Sequence, residues 1–238
     1  MANRYLLMWL EAPLQSWGHD SKFARRDSLD FPTKSGVLGL LCCAIGAVGP
    51  QEEWLAQWSN LDMQVDAYVR TDRKGKPMTR LPLLRDFQMV GRSYGDSPWE
   101  KLMVPKMSDG GSPNGSGAKV THRYYLQDMA FAVALEMPAA LEADLVECLD
   151  SPVWPLYLGR KCCVPCELIN QGVYVTASEA MRVGAAIAAD KKRALSFSVV
   201  QAEAEGELLT LNDVPLAFGE YKRYQVRQVT VLKPAKPL

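Results

Sequence analysis

The chain has 238 residues, 48% hydrophobic and 23% charged, the balance of an ordinary folded protein able to bury a large core. Its 27 Lys/Arg are matched by 27 Asp/Glu, so no molecule-wide field draws it to a polyanion or an acidic membrane, and any such contact must be local. The opening apolar run, Tyr5 to Leu10, is too short for a membrane span or a secretory leader, and no other run reaches membrane length. A cytoplasmic protein with no membrane partner is expected.

Residues 4–10 read as a first strand, apolar enough to be central in a sheet. A polar loop carrying Gln15, Ser16, Trp17, Gly18, Arg25 and Arg26 follows. Pro32-Thr-Lys-Ser-Gly36 then opens a helix over Val37–Val48, with Thr33 or Ser35 as N-cap. Small residues Gly36, Gly39, Ala44 and Gly46 would let that helix lie close to a sheet. A short helix over Glu52–Trp58 leads to alternating Met63, Val65, Ala67 and Val69, the pattern of a half-buried strand.

Residues 71–126 break this rhythm, with strand-like pieces near 78–90 between basic turns. The Ser108–Gly117 stretch of Gly, Ser, Pro and Asn reads as a flexible tip. Order resumes with a strand over Met129–Met137 and a helix from Pro138 to about Leu149. With a short strand near Leu156–Leu158 or just beyond, the order is βαββαβ. That pattern predicts an α+β, ferredoxin-like (RRM-like) domain over residues 1–170. A strand-rich region over 171–238 follows, with a strand at Val173–Thr176, a helix at Ser178–Lys191, a hairpin at 196–211 and a final strand at Tyr224–Leu232.

Charge is uneven along the chain. Residues 70–123 hold eleven Lys/Arg against five Asp/Glu, whereas residues 136–150 hold five carboxylates and no base. A basic excursion beside an acidic helix suits a protein that grips a polyanion at one place. Two differently charged solvated faces would read the same way. The six cysteines include Cys163-x-x-Cys166, but there is no second such pair and there are only two histidines, so neither a metal site nor a cofactor is expected. Cys42 and Cys43 fall in an apolar helical pattern and read as core.

Four stretches can carry chemistry. At Lys34, Ser35 and Gly36, a helix N-terminus with a mobile cation suits a phosphate, although on the residues alone an ordinary N-cap with a solvated lysine is the favoured reading. The flat ring of Trp17, with Gln15 and Ser16, can stack on or edge-read an unpaired base, or simply anchor the loop. Lys119-Val-Thr-His-Arg-Tyr-Tyr125 interleaves cations and aromatics as a single-strand RNA groove does. Arg160 and Lys161, after Gly159, can clamp a phosphate. The one alternative with catalysis is metal-independent RNA cleavage by His122 with Lys119 or Tyr125. A lone histidine does not make an acid–base pair, so a binding site with no catalytic residue is the main expectation. No GxSxG, Walker A or GxGxxG pattern is present.

At these residues the chain resembles a known family. Arg4-Tyr-Leu-Leu, Ala12-Pro-Leu-Gln-Ser-Trp-Gly18 and Phe31-Pro-Thr-Lys-Ser-Gly-Val-Leu-Gly-Leu-Leu41 are similar to the N-terminal signature of the CasD family of type I-E CRISPR Cascade subunits. The likeness continues at Tyr125-Leu-Gln-Asp-Met-Ala-Phe-Ala-Val-Ala-Leu135 and Pro155-Leu-Tyr-Leu-Gly-Arg-Lys-Cys162. The resemblance implies a ferredoxin-like domain with a thumb inserted between its second and third strands, at about 71–126 here. It also implies a non-catalytic role: holding the 5′ handle of the CRISPR RNA (crRNA) and capping the CasC backbone filament near the large subunit CasA, with target DNA met only through the complex. By that resemblance Gln15, Ser16, Trp17, Arg25, Arg26, Lys34, Ser35, Gly36, Lys119, His122, Arg123, Tyr125, Arg160 and Lys161 are the expected RNA contacts. Related subunits of type I-C systems cut the RNA themselves, which keeps the endoribonuclease alternative open.

Overall fold

The structure is a computed structural model that describes residues 2–19, 24–90, 111, 119–201 and 206–234. In chain order the first elements are β1 (Arg4–Glu11), β2 (Leu14–Gln15), β3 (Arg25–Arg26), α1 (Lys34–Ala44), α2 (Glu52–Ala56) and β4 (Met63–Arg70). There follow β5 (Leu84–Val90), β6 (Lys119–Gln127), β7 (Ala130–Met137), α3 (Glu142–Asp150) and β8 (Asn170–Tyr174). The chain continues with α4 (Ala177–Asp190), β9 (Arg193–Gln201), β10 (Glu207–Ala217) and β11 (Arg223–Leu232).

Seven strands form one antiparallel sheet in the order β10-β11-β9-β4-β7-β1-β8. A strand covered on both faces reads as a continuous apolar run, and β1 has Leu6 to Leu10 all fully buried. Leu6, Met8 and Leu10 face α1 and α3, packing with Val37, Leu38, Leu41, Leu145 and Leu149. Leu7 and Trp9 point the other way, onto α4, together with the alanines Ala130, Ala132 and Ala134 of β7. Those alanines let α4 approach so closely that a Cβ at Gly184 would stand 2.7 Å from that of Ala132.

The Thr33 hydroxyl accepts from the Gly36 amide and caps α1, as its place before the apolar run predicts. The helix stops at Ala44 rather than Val48, because Gly46 turns the backbone left-handed (φ 69) just beyond the cap. The segment from Pro138 begins as a single 3₁₀ turn, Ala139–Leu141, before α3. Leu156–Leu158 is not a strand. There the chain turns at Gly159 (φ 87), with the Leu158 amide donating to the Cys163 carbonyl, and β8 takes the place beside β1. The strands after residue 190 hydrogen-bond into the same sheet through β9, which pairs with β4.

Between β4 and β7 the chain leaves the large sheet and returns. β5 and β6 pair antiparallel over Leu84–Val90 and Lys119–Tyr125, and the other edge of β6 takes β3 and β2. The Ser108–Gly117 tip lies outside the described residues, Gly111 apart. The junction of the two sheets is held by Arg193. Its guanidinium lies 2.6 Å from the Glu11 carboxylate at the end of β1 and 3.3 Å from that of Asp128, the left-handed residue between β6 and β7. Removing one partner of such a buried set leaves the others uncompensated. Arg193→Met should therefore cost about 3 kcal/mol in chemical denaturation; a midpoint unchanged from the parent protein would show the set to be dispensable.

Candidate nucleic-acid interface

A cleft of about 640 Å³ opens where β6, β3 and the Gly159 turn meet. Its lining carries Arg26, Arg123, Arg160 and Lys161 against a single carboxylate, Asp27, with Gln88 and Tyr157 beside them. The parallel pairing of β3 on β6 sets Arg26 level with Arg123, and strand alternation turns Arg123 away from His122. Asp27 accepts from Arg25 at 2.9 Å, so its charge is partly met outside the cleft. Arg25 in turn lies over the Tyr124 ring at 4.9 Å.

Arg160 binds the cleft walls together. Its Nη1 donates to the Tyr124 carbonyl (3.0 Å), its Nη2 to the Arg26 carbonyl (2.8 Å), and its plane covers the Tyr125 ring at 4.5 Å. It is a staple first, and a phosphate clamp only through what those bonds leave over. Tyr125 is buried, with its hydroxyl accepting from the Cys162 thiol, so it cannot stack on a base.

The expected phosphate seat at Lys34 is overturned. Lys34 is 1% exposed, and its Nζ donates inward to the carbonyls of Ser59 (3.2 Å) and Leu61 (2.6 Å). Burial, and secondarily the nearby Arg227 guanidinium, push its ammonium down to about 8, with Asp213 acting against them. The Lys34 amide is also taken, by the Asp213 carboxylate at 2.8 Å, which is held bidentately by Arg227. An internal carboxylate therefore occupies the positive end of α1 that a phosphate would seek.

The base-facing role of Gln15 and Trp17 is overturned too. Gln15 is fully buried, donating to the Leu10 and Met129 carbonyls and accepting from the Trp17 indole at 3.1 Å. Trp17 is fully buried against Gly36, where a Cβ would stand 2.8 Å from its ring. Gly36 is thus needed for the tryptophan and not for a ligand. The Ser16 hydroxyl is held by the Tyr124 carbonyl, and a Cβ on Gly159 would meet the Ser16 carbonyl oxygen at 1.7 Å. The three sequence signatures interlock, and their glycines mark where they touch.

His122 stands on the far face of β6, its Nδ1 accepting from Arg85 (3.3 Å) and its ring 5.5 Å from Phe87. It points to the opposite face from Tyr125, so the pairing of these two in the RNA-cleavage alternative is not assembled. The Lys119 side chain lies outside the described residues.

Ser35 and Gly36 instead line a second cleft, of about 490 Å³, with Phe218, Gly219 and Lys222 from the turn between β10 and β11 and Tyr224 from the start of β11. These last residues escaped the sequence reading, as did Asp27, Gln88 and Tyr157. The only local cue was a cation three residues past a glycine, between strands. Cys163 is buried, its thiol pushed up to about 12 chiefly by burial, and among the described residues no group of His, Cys, Asp and Glu could hold a metal ion. No helix among them is long and apolar enough to cross a membrane.

A large antiparallel sheet with few helices is an arrangement found in known proteins. The family model described as CRISPR-associated protein (Cas_Cas5) matches residues 5–230, and the chain belongs to that family. The CRISPR system Cascade subunit CasD of Escherichia coli (strain K12) is 30% identical over 164 residues, which is 67% of this chain and 66% of that relative. A chain of a solved CRISPR RNA-guided surveillance complex superposes with a TM-score of 0.69 at 27% identity, over 96% of this chain and 89% of the other. A second solved structure, described as a Cas protein, shares the fold at TM-score 0.55 and 24% identity, over 98% and 95% of the two chains.

Lys34→Ala should lower stability by about 3 kcal/mol, since it opens a cavity and strands two carbonyls. In thermal unfolding that is a fall of about 6–12 °C. A variant that melts like the parent yet loses RNA would return Lys34 to the binding surface. Gly159→Ala should also unfold earlier, because φ 87 and the Ser16 contact both oppose a side chain there.

Proposed function

We propose that this chain is the CasD-type subunit of a type I-E Cascade complex, where it holds the 5′ handle of the crRNA without cutting it. One observation carries the reading: the cleft at the root of the inserted hairpin, in which Arg26, Arg123, Arg160 and Lys161 outnumber one carboxylate. In a protein of zero net charge, so local an excess is what a single polyanion site requires. Membership of the Cas5 family and the likeness to a chain of an RNA-guided surveillance complex support reading that polyanion as a guide RNA.

The chain order supports a ferredoxin-like core with a thumb. Strands β4, β7, β1 and β8 lie side by side, α1 and α3 share one face of them, and residues 71–126 are inserted between β4 and β7. In this reading α4 and β9 to β11 are additions to that core, α4 covering its second face and the strands extending its sheet, and the finished subunit caps a CasC filament next to CasA in the cytoplasm. Target DNA is met only through the assembled complex.

Holding without cutting is favoured because His122 is turned away from Arg123 and bonded to Arg85, while the Tyr125 hydroxyl is buried. In the cleft, Arg123 and Lys161 contact phosphates as charges, and Arg26 and Gln88 reach the strand at the thumb side.

Replacing both Arg123 and Lys161 by Ala should weaken binding of a handle-bearing RNA at least tenfold and reduce the slope of log K against log salt by about 1.4, or about 0.7 per phosphate. Unchanged affinity and slope would sink the assignment. Incubating the protein with a repeat RNA in EDTA should leave the RNA intact; cleavage lost in His122→Ala would establish the endoribonuclease instead.

A further inference from the structure

The two clefts share Ser16, Gly18 and Gly159, so they are one groove bent over the Gly159 turn. The second part is built differently from the first. Its walls hold four glycines (Gly18, Gly36, Gly159, Gly219), three aromatic residues (Trp17, Phe218 and Tyr224) and one ionised side chain, Lys222, with no carboxylate in the lining. Gly18 and Gly219, where a Cβ would meet nothing within 4 Å, leave room for a ligand backbone, a single cation suits one phosphate, and a half-buried ring suits one base. At about 490 Å³ the space is small, within the range of sites for single small ligands. The turn that supplies Lys222 is shaped by Gly219 (φ 84) and pinned by the Phe218 amide, which donates to the Pro50 carbonyl at 2.9 Å. Lys222 is exposed, and none of the described ion pairs involves it.

The α1 amides are not the attraction here, since Asp213 and Thr33 already take those of Lys34 and Gly36. The C-terminal hairpin therefore supplies what the helix end does not: a free cation facing the groove.

We propose that this second cleft is a one-nucleotide subsite of the same RNA path, with Lys222 at the phosphate and the Tyr224 ring against the base. The proposal rests on the RNA-holding reading, and it makes the turn between β10 and β11 an RNA-contacting segment.

The test measures affinity of the full chain for a handle-bearing RNA, and for the same RNA shortened one nucleotide at a time from its 5′ end. Lys222→Ala should weaken the full-length RNA about five- to tenfold and lower the salt slope by about 0.7. Tyr224→Ala should weaken it by a similar factor and Tyr224→Phe should not, with thermal unfolding showing that the variants stay folded. The Lys222→Ala defect should vanish once the nucleotide that fills the cleft has been removed. If Arg123→Ala/Lys161→Ala loses RNA while Lys222→Ala keeps full affinity, the groove ends at Gly159 and the subsite is wrong. If Lys222→Ala binds RNA normally but no longer joins the other subunits, the turn is a protein contact, which also overturns the proposal. If none of these variants affects RNA, the RNA-holding reading itself fails.

Discussion

Trp17 lying flat against Gly36 is the contact on which the groove depends. It fixes the loop after β1 to the N-terminus of α1, and the indole N–H passes the constraint to Gln15, which bonds to the carbonyls of Leu10 and Met129. From there the loop backbone is set so that Ser16 can receive the Gly159 turn at a distance no side chain would allow. The cations of the first cleft, Arg26, Arg123 and Lys161, are mounted on segments that this packing brings together. The recognisable signature is therefore the frame of the site more than its contact surface.

Much of the fold was legible because it follows local periodicity. The buried run of β1, the alternation of β4 and the Thr33 cap are each set by a few neighbouring residues. The errors came where a distant partner decides. Leu156–Leu158 is apolar enough for a strand, but the edge beside β1 is filled by β8, and Gly159 turns the chain away.

The candidate site was legible as segments and misread as side chains. Arg26, Arg123, Arg160 and Lys161 do converge. Lys34, Gln15 and Trp17 do not face solvent, because polar and aromatic side chains near glycines look alike in sequence whether they meet a ligand or the protein's own backbone. What decides is the supply of internal partners: two carbonyls for Lys34, two for Gln15, one amide oxygen for Trp17. Lys222 and Tyr224 escaped notice for the opposite reason. They lie far along the chain, in a turn with no pattern of its own, and only the curl of β10 over α1 brings them to the groove.

The Asp213 carboxylate on the Lys34 amide spans 179 residues of sequence. The first long helix is thus completed by a hairpin from a distant part of the chain. Contacts so distant in the chain close late and slowly, since the loop entropy must be overcome before they form. Until β10 arrives, the N-terminus of α1 lacks its counter-charge and the second wall of the groove is missing. The second part of the groove therefore takes shape only once β10 has folded back onto α1.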